Sequence, residues 1–198
     1  LTLADGHGTI VREDAGLAHV PKDKRPLLRR LGVTIGALDV FVPTLLKPAA
    51  RRLLQAIGAD PRPVQEAMEP VIARASDRKG GALPAGYRRA GSQAIRVDMA
   101  EKLFRAAHEQ RVASGGRAFR VDPALATSMG LASDNFRLLM RDAGFRPGET
   151  RTLPEGAYGP PTPTLWTWRP PRKDRVPERR PAPVREGGAF AALADLVR

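Results

Sequence analysis

The chain has 198 residues, a formal net charge of +12 at pH 7 and no cysteine. That length can bury a core in one large or two small domains, and the missing cysteines exclude disulfides and thiolate metal sites. The basic surplus is mostly arginine; it favours a polyanionic partner, most often nucleic acid, although a high-GC genome also raises arginine usage.

No apolar run reaches membrane-spanning length and no signal peptide is visible, which argues for a cytoplasmic protein with no membrane partner. The chain starts at Leu1 and enters strand-like sequence at once, so it reads as one region of a longer polypeptide. Its 19 prolines and 19 glycines predict many turns and at least one segment without a core.

Residues 1–20 predict a β-hairpin. Leu1 and Leu3 alternate with polar positions, Asp5 to Gly8 supply turn chemistry, and Thr9-Ile10-Val11 returns as a strand. His7 and His19 have no partner motif. Residues 21–32 are a basic run, with Lys22, Lys24, Arg25, Arg29 and Arg30 set against Asp23 alone. Leu27, Leu28 and Leu31 give that run an apolar side, so it predicts a short helix with a charged face. Residues 31–43 are β-branched and alternating and predict two short strands or one bulged strand, ended by Pro43. A helix follows from about Pro48 to Ile57, with Leu53, Leu54 and Ile57 inward and Lys47, Arg51 and Arg52 outward.

Asp60-Pro61 opens a second helical segment with Val64, Met68, Val71 and Ile72 inward, interrupted near Pro70. Residues 76–86 read as a loop carrying the approach to Arg88 and Arg89. Gln93 to Val97 is strand-like. Asp98 with Glu101 three residues on forms a capping-box-like start to a helix ending near Ala113, with Met99, Leu103, Ala106 and Ala107 inward. Ser114-Gly115-Gly116 breaks it, and Phe119 and Val121 give a short strand.

Residues 122–146 read as two short helices joined by a tight turn. Asp122 caps the first, with Pro123 at its first position and Gly130 as a left-handed stop. Ser133 caps the second, whose apolar positions are Phe136, Leu139, Met140 and Ala143; Gly144 closes it. The spacing fits a helix-turn-helix unit. The second helix is formally neutral, with Asp134 and Asp142 against Arg137 and Arg141, so packing is the default role rather than reading of a DNA groove. Arg151 to Leu153 and Thr164 to Trp168 then predict a hairpin, the layout of a winged helix. Trp166 and Trp168 share one strand face; they either stack on unpaired bases or anchor a small domain.

Residues 169–186 hold five prolines and seven Arg/Lys against three acids, which cannot build a core and predicts a solvated linker. GGAFAALADLVR closes the chain with Phe190, Leu193 and Leu196 at helical spacing, a short amphipathic helix suited to docking. The predicted organisation is α+β: a strand/helix region at 1–60, a helical region with short strands at 61–121, a two-helix plus hairpin unit at 122–169, a disordered basic linker at 170–186 and a final helix at 187–198.

No phosphate-binding Gly loop, nucleophile elbow or ligand-spaced histidine cluster appears among these residues, so no catalytic residue and no metal ligand is nominated. The candidate nucleic-acid contacts are Lys22, Lys24, Arg25, Arg29, Arg30, Lys47, Arg51, Arg52, Arg88, Arg89, Trp166 and Trp168. As a phosphate-facing surface, these cations need to cluster in space.

Several stretches carry a family resemblance: LRRLGVTIGALDVFVPTLLKPAARRLLQAIG, AIRVDMAEKL, DPALATSMGL with FRLLMRDAGFRPGE, LPEGAYGPPTPTLWTWRPPRK and the closing GGAFAALADLVR. In that order they resemble the region following the motor in alphaproteobacterial superfamily 2 helicases, which are similar to the mitochondrial degradosome RNA helicase. The resemblance implies a non-catalytic C-terminal part of an ATP-dependent helicase acting on RNA or DNA. The ATP and magnesium would belong to the motor, and none of its catalytic residues has a counterpart here. It also implies RNA or other single-stranded nucleic acid, the motor in cis, and a nuclease or ribosome as partners. The competing reading is a docking scaffold with no nucleic-acid contact.

Overall fold

The computed structural model describes residues 8–57, 68–73, 83–148 and 163–170. The fold is mixed α+β, built on small antiparallel sheets. The predicted linker, the final helix and most of the hairpin loop lie outside the described residues, as do residues 1–7 and 58–67.

The first sheet comprises β1 (Thr9–Val11), β2 (Thr34–Ile35) and β3 (Asp39–Phe41), in the order β1-β3-β2. β1 is the expected strand and pairs with β3, with Ile10 opposite Val40; the other arm of the expected hairpin, around Leu1 and Leu3, lies outside the described residues. Helix α1 (Arg25–Arg30) follows a single tight turn over Lys22–Lys24. Pro43 ends β3 and starts another tight turn, and α2 (Pro48–Ala56) begins where Pro48 costs no hydrogen bond.

The second sheet comprises β4 (Val71–Ala73), β5 (Tyr87–Ala90) and β6 (Gln93–Arg96), in the order β4-β6-β5. Val71 and Ile72 were expected on a helix. They form a strand instead, because Pro70 cannot continue a helix and β-branched residues suit a ladder. The Pro70 carbonyl accepts a hydrogen bond from Arg96 N–H at 2.9 Å, which extends the β4–β6 pairing.

Helix α3 (Val97–Ala113) starts one residue after β6. The expected capping box does not form. Asp98 binds the Arg96 guanidinium at 2.6 Å and the Met99 N–H at 3.0 Å, and Glu101 turns to a different partner described below. The third sheet comprises β7 (Phe119–Arg120), β8 (Phe145–Pro147) and β9 (Leu165–Trp168), in the order β7-β9-β8, with α4 (Ala124–Ser128) and α5 (Ser133–Asp142) between its first two strands. In all three sheets the strand latest in sequence lies in the middle.

The helix pair keeps three of its four expected boundary residues. Asp122 accepts the Ala124 N–H at 2.9 Å, and Gly130 and Gly144 are left-handed at φ 83° and 88°. The α5 cap is Ala132, one residue before the expected Ser133, and no side chain caps it. β9 pairs with β8 and β7; Arg151 to Leu153, the expected partner, falls outside the described residues. Pro147 sits in β8, an edge strand that tolerates its missing N–H.

The main core lies between α3, α5, β6 and the third sheet. Its largest fully buried side chains are Phe104, Phe145, Ile95, Leu139 and Met140. Each such side chain contributes roughly 1.5–3 kcal/mol through burial.

Candidate nucleic-acid interface

The first sheet divides the predicted basic residues between its two faces. Ile10, Val40 and Ile35 stand side by side in register. They pack with Leu17 and with Leu28 of α1, so α1 covers that face. Lys22, Lys24, Arg29 and Arg30 are exposed there. Arg25 is half-buried and donates to the Leu17 carbonyl at 3.1 Å, which fixes the start of the helix.

By the alternation of a strand, Asp39 and Phe41 point to the opposite face. Phe41 packs with Leu46 and Val97, and Asp39 accepts a 2.7 Å ion pair from Arg88 Nε. Arg88 is therefore committed to a carboxylate. Burial raises the Asp39 pKa; Arg88 opposes the shift and Glu101 adds to it. Glu101 is itself raised by burial, against the lowering effects of the Ala37 N–H it accepts, of Arg105 and of Arg12. The 2.7 Å bond from Ala37 to Glu101 ties the turn between β2 and β3 to α3. Gly36 makes the approach possible, because a Cβ there would lie 2.5 Å from Glu101 Oε2.

Helix α2 departs from the expected orientation in part, with Leu54, expected inward, half-buried. Arg51, expected outward, is buried at 4% exposure, whereas Leu53 and Ile57, expected inward, are 63% and 67% exposed. Leu46, in the turn before the helix, already fills the niche against Phe41 and Val97. The Arg51 guanidinium lies beside Gly86, where a Cβ would stand 3.7 Å from Arg51 Nη2. Lys47 and Arg52 remain exposed.

Arg89 is exposed and lines an open groove of about 410 Å³ between β1 and β5, together with Tyr87 and Arg88. Asp39 and Asp142 line the same groove, so its charge is balanced and it offers little to a phosphate backbone. The predicted cations thus do not form one cluster. The residue 22–30 group sits on one face of the first sheet, and Arg88 sits on the other.

Trp166 is 3% exposed and packs edge-on to Phe136 at 6.0 Å, so its ring belongs to the core. Trp168 is half-buried. Its indole N–H donates to the Ala143 carbonyl at 3.2 Å, and its ring takes the Arg111 guanidinium at 4.5 Å and His108 at 5.4 Å. Both tryptophans face inward with Phe119 and Phe145, which leaves the opposite face of the third sheet to exposed Arg120, Arg146, Leu165 and Thr167. Sequence reading overlooked this surface. The alternation in Phe119-Arg120, Phe145-Arg146 and LWTW could have found it.

The turn between α4 and α5 is also covered. Gln93 of β6 donates to the Gly130 carbonyl at 2.9 Å and accepts from the Ala132 N–H at 2.9 Å. Asn135, 6% exposed, donates to Gln93 Oε1 at 2.8 Å and accepts the Ser92 N–H at 3.2 Å. Gly91 is left-handed at φ 58°, and a side chain there would run into Asn135. The start of α5 is thus sealed by the β5–β6 turn.

Among the described residues no group of three or more His, Asp or Glu side chains could hold a metal ion, and no helix is long and apolar enough to cross a membrane. No protein-family model, no curated protein and no solved structure matches the chain.

Proposed function

We propose that this chain is a non-catalytic accessory region of an ATP-dependent RNA helicase, one that grips single-stranded nucleic acid and braces the motor. The observation that carries the reading is the exposed run of Lys22, Lys24, Arg29 and Arg30 along one turn and helix, with Asp23 the sole acid in residues 21–32. A cationic ridge of this kind binds phosphates without reading sequence, as a strand passing through a motor requires. ATP and magnesium belong to the motor in cis, in the cytoplasm.

We read residues 97–168 as a winged-helix-like unit. The order helix, strand, helix, helix, strand, strand, with the last strand central, is the layout that supports this reading. Its second short helix is formally neutral and turns Asn135 inward onto the β5–β6 turn. That suits a packed brace better than a helix laid in a DNA groove.

A docking scaffold that recruits a nuclease or the ribosome is the second reading. It is favoured by Leu31, Leu53 and Ile57, which are 76%, 63% and 67% exposed on or at the ends of the first two helices.

The test is fluorescence anisotropy of the chain with labelled single-stranded RNA, single-stranded DNA and duplex across a salt series. Four phosphate contacts on a single strand give a log–log slope of about −2.8. Replacing Lys22, Lys24, Arg29 and Arg30 together by Ser should remove most of that slope. Absence of RNA binding at low salt would overturn the grip and leave the docking scaffold.

A further inference from the structure

The third sheet has one face for the core and one for solvent. Phe119, Trp166 and Phe145 are 4%, 3% and 0% exposed and point inward. Arg120 stands opposite Leu165, and Arg146 opposite Thr167. All four are exposed on the outer face. Arg169 continues the same parity along β9, is exposed, and is held to the sheet by its N–H, which donates to the Gly144 carbonyl at 2.9 Å.

None of the residues in β7, β8 and β9 is acidic. The nearest acid along the chain after β7, Asp122, spends its carboxylate on the Ala124 N–H. Asp142, before β8, lines the groove beside Arg88 and Arg89. Among the described residues the outer face is therefore cationic, with Leu165 and Thr167 at its centre.

We infer that this outer face is a second contact for single-stranded nucleic acid, in which Arg120, Arg146 and Arg169 hold successive phosphates of a strand lying across Leu165 and Thr167. The inference rests on the nucleic-acid reading above and adds a surface to it. β7 and β8 flank β9, so the two outer arginines stand two strand spacings apart, roughly 10 Å, and are offset by about two residues along the strands. That spread reaches different phosphates of one strand rather than one phosphate twice. Guanidinium groups suit the task, since each can pair bidentately with a phosphate or lie flat on a base. The aromatic rings face the core, so the face holds the backbone and does not select bases. A protein partner would need an apolar centre, and among the described residues the one apolar side chain on this face is Leu165, 44% exposed.

The test uses the whole chain and labelled oligouridine RNA in a salt series. Four proteins are compared: the chain itself, an Arg120→Ser/Arg146→Ser variant, an Arg120→Lys/Arg146→Lys variant, and the variant with Lys22, Lys24, Arg29 and Arg30 replaced by Ser. Both positions are exposed, so the fold is expected to persist, and circular dichroism checks it. The serine variant should flatten the log–log salt slope by about 1.4, or 0.7 per lost contact, and the lysine variant should keep the parental slope. An unchanged slope in the serine variant would overturn the second contact, while loss of binding in the residue 22–30 variant of the same series would leave the helicase-accessory reading standing. No binding by the parental chain would overturn both. Equal loss of binding to phosphatidylserine vesicles would assign the face to anionic surfaces in general and overturn the proposal.

Discussion

Glu101 accepts the backbone N–H of Ala37 at 2.7 Å across 64 residues of chain. The bond docks the first sheet onto α3 and buries a carboxylate next to a second one, Asp39. Arg12 closes the same turn from outside by donating to the Gly36 carbonyl at 2.5 Å. A side chain at Gly36 has no room, because Glu101 and the Asp39 carbonyl occupy its place. Gly36→Ala should therefore destabilise the chain by about 1–3 kcal/mol, read from urea unfolding at pH 7.

The two carboxylates set a pH dependence with a defined sign. Both pKa values are raised in the fold, so the folded state binds more protons than the unfolded chain. Their contribution is fully present below the ordinary carboxylate range and is lost as pH rises through the raised values. Glu101→Gln keeps an acceptor for Ala37 and removes the titration. The parental chain and this variant should therefore differ little at low pH, and the variant should gain stability relative to the parent as pH rises to 7. A constant difference across that range in urea melts would contradict the assignment.

His108 carries the opposite sign. Burial, and then Arg111, lower its pKa, so the folded state holds it neutral. Its contribution is present above the ordinary imidazole range and is lost as pH falls through the lowered value. The ring lies 4.9 Å from Phe145 and 5.4 Å from Trp168. Titration downward from pH 7 should change the tryptophan emission of the parental chain as His108 takes up its proton, and His108→Gln should remove that step.

The partly reversed orientation of α2 predicts an asymmetry between two leucines. Leu46 is 7% exposed and Leu53 is 63% exposed. Leu46→Ala should cost about 2–5 kcal/mol, whereas Leu53→Ala should stay within about 0.5 kcal/mol. Equal effects in thermal melts would mean that the helix presents its leucines inward after all.

Asn135 of α5 holds the β5–β6 turn by accepting the Ser92 N–H across 43 residues of chain. Asn135→Ala leaves the Ser92 N–H without its acceptor and removes one of the two bonds to Gln93 Oε1, at a cost of about 1–3 kcal/mol. Hydrogen exchange at Ser92 should rise in step. Unchanged exchange there would show that the β5–β6 turn holds its shape without the helix.

The residues that could be read in advance are those with a strong local rule. Phe136, Leu139, Met140 and Ala143 recur at helical spacing, and all four are buried. Asp122-Pro123, Gly130 and Gly144 punctuate the same unit by capping chemistry alone. Thr34-Ile35 and Asp39 to Phe41 were legible as strands because they are β-branched or aromatic and bounded by turns. What failed depended on distant partners. β4 spans three residues, too few for a period to declare itself, and its apolar run reads equally as helix. The two faces of α2 compete for a niche that Leu46 has already filled, which no window over residues 48–57 contains. The candidate cations suffered likewise, because charge along a sequence does not say that Arg88 will meet Asp39.

The arrangement of strands, with the last in sequence always central, bears on how the chain comes off the ribosome. Neither edge strand of a triad has a neighbour to zip onto until the third has been made. β1 must wait for β3, and β7 for β9, some 45 residues later. No described ladder of a sheet can therefore form before its last strand is made, and the first strand joins only across a long loop closure. Slow codons just downstream of a central strand would give that closure time to finish.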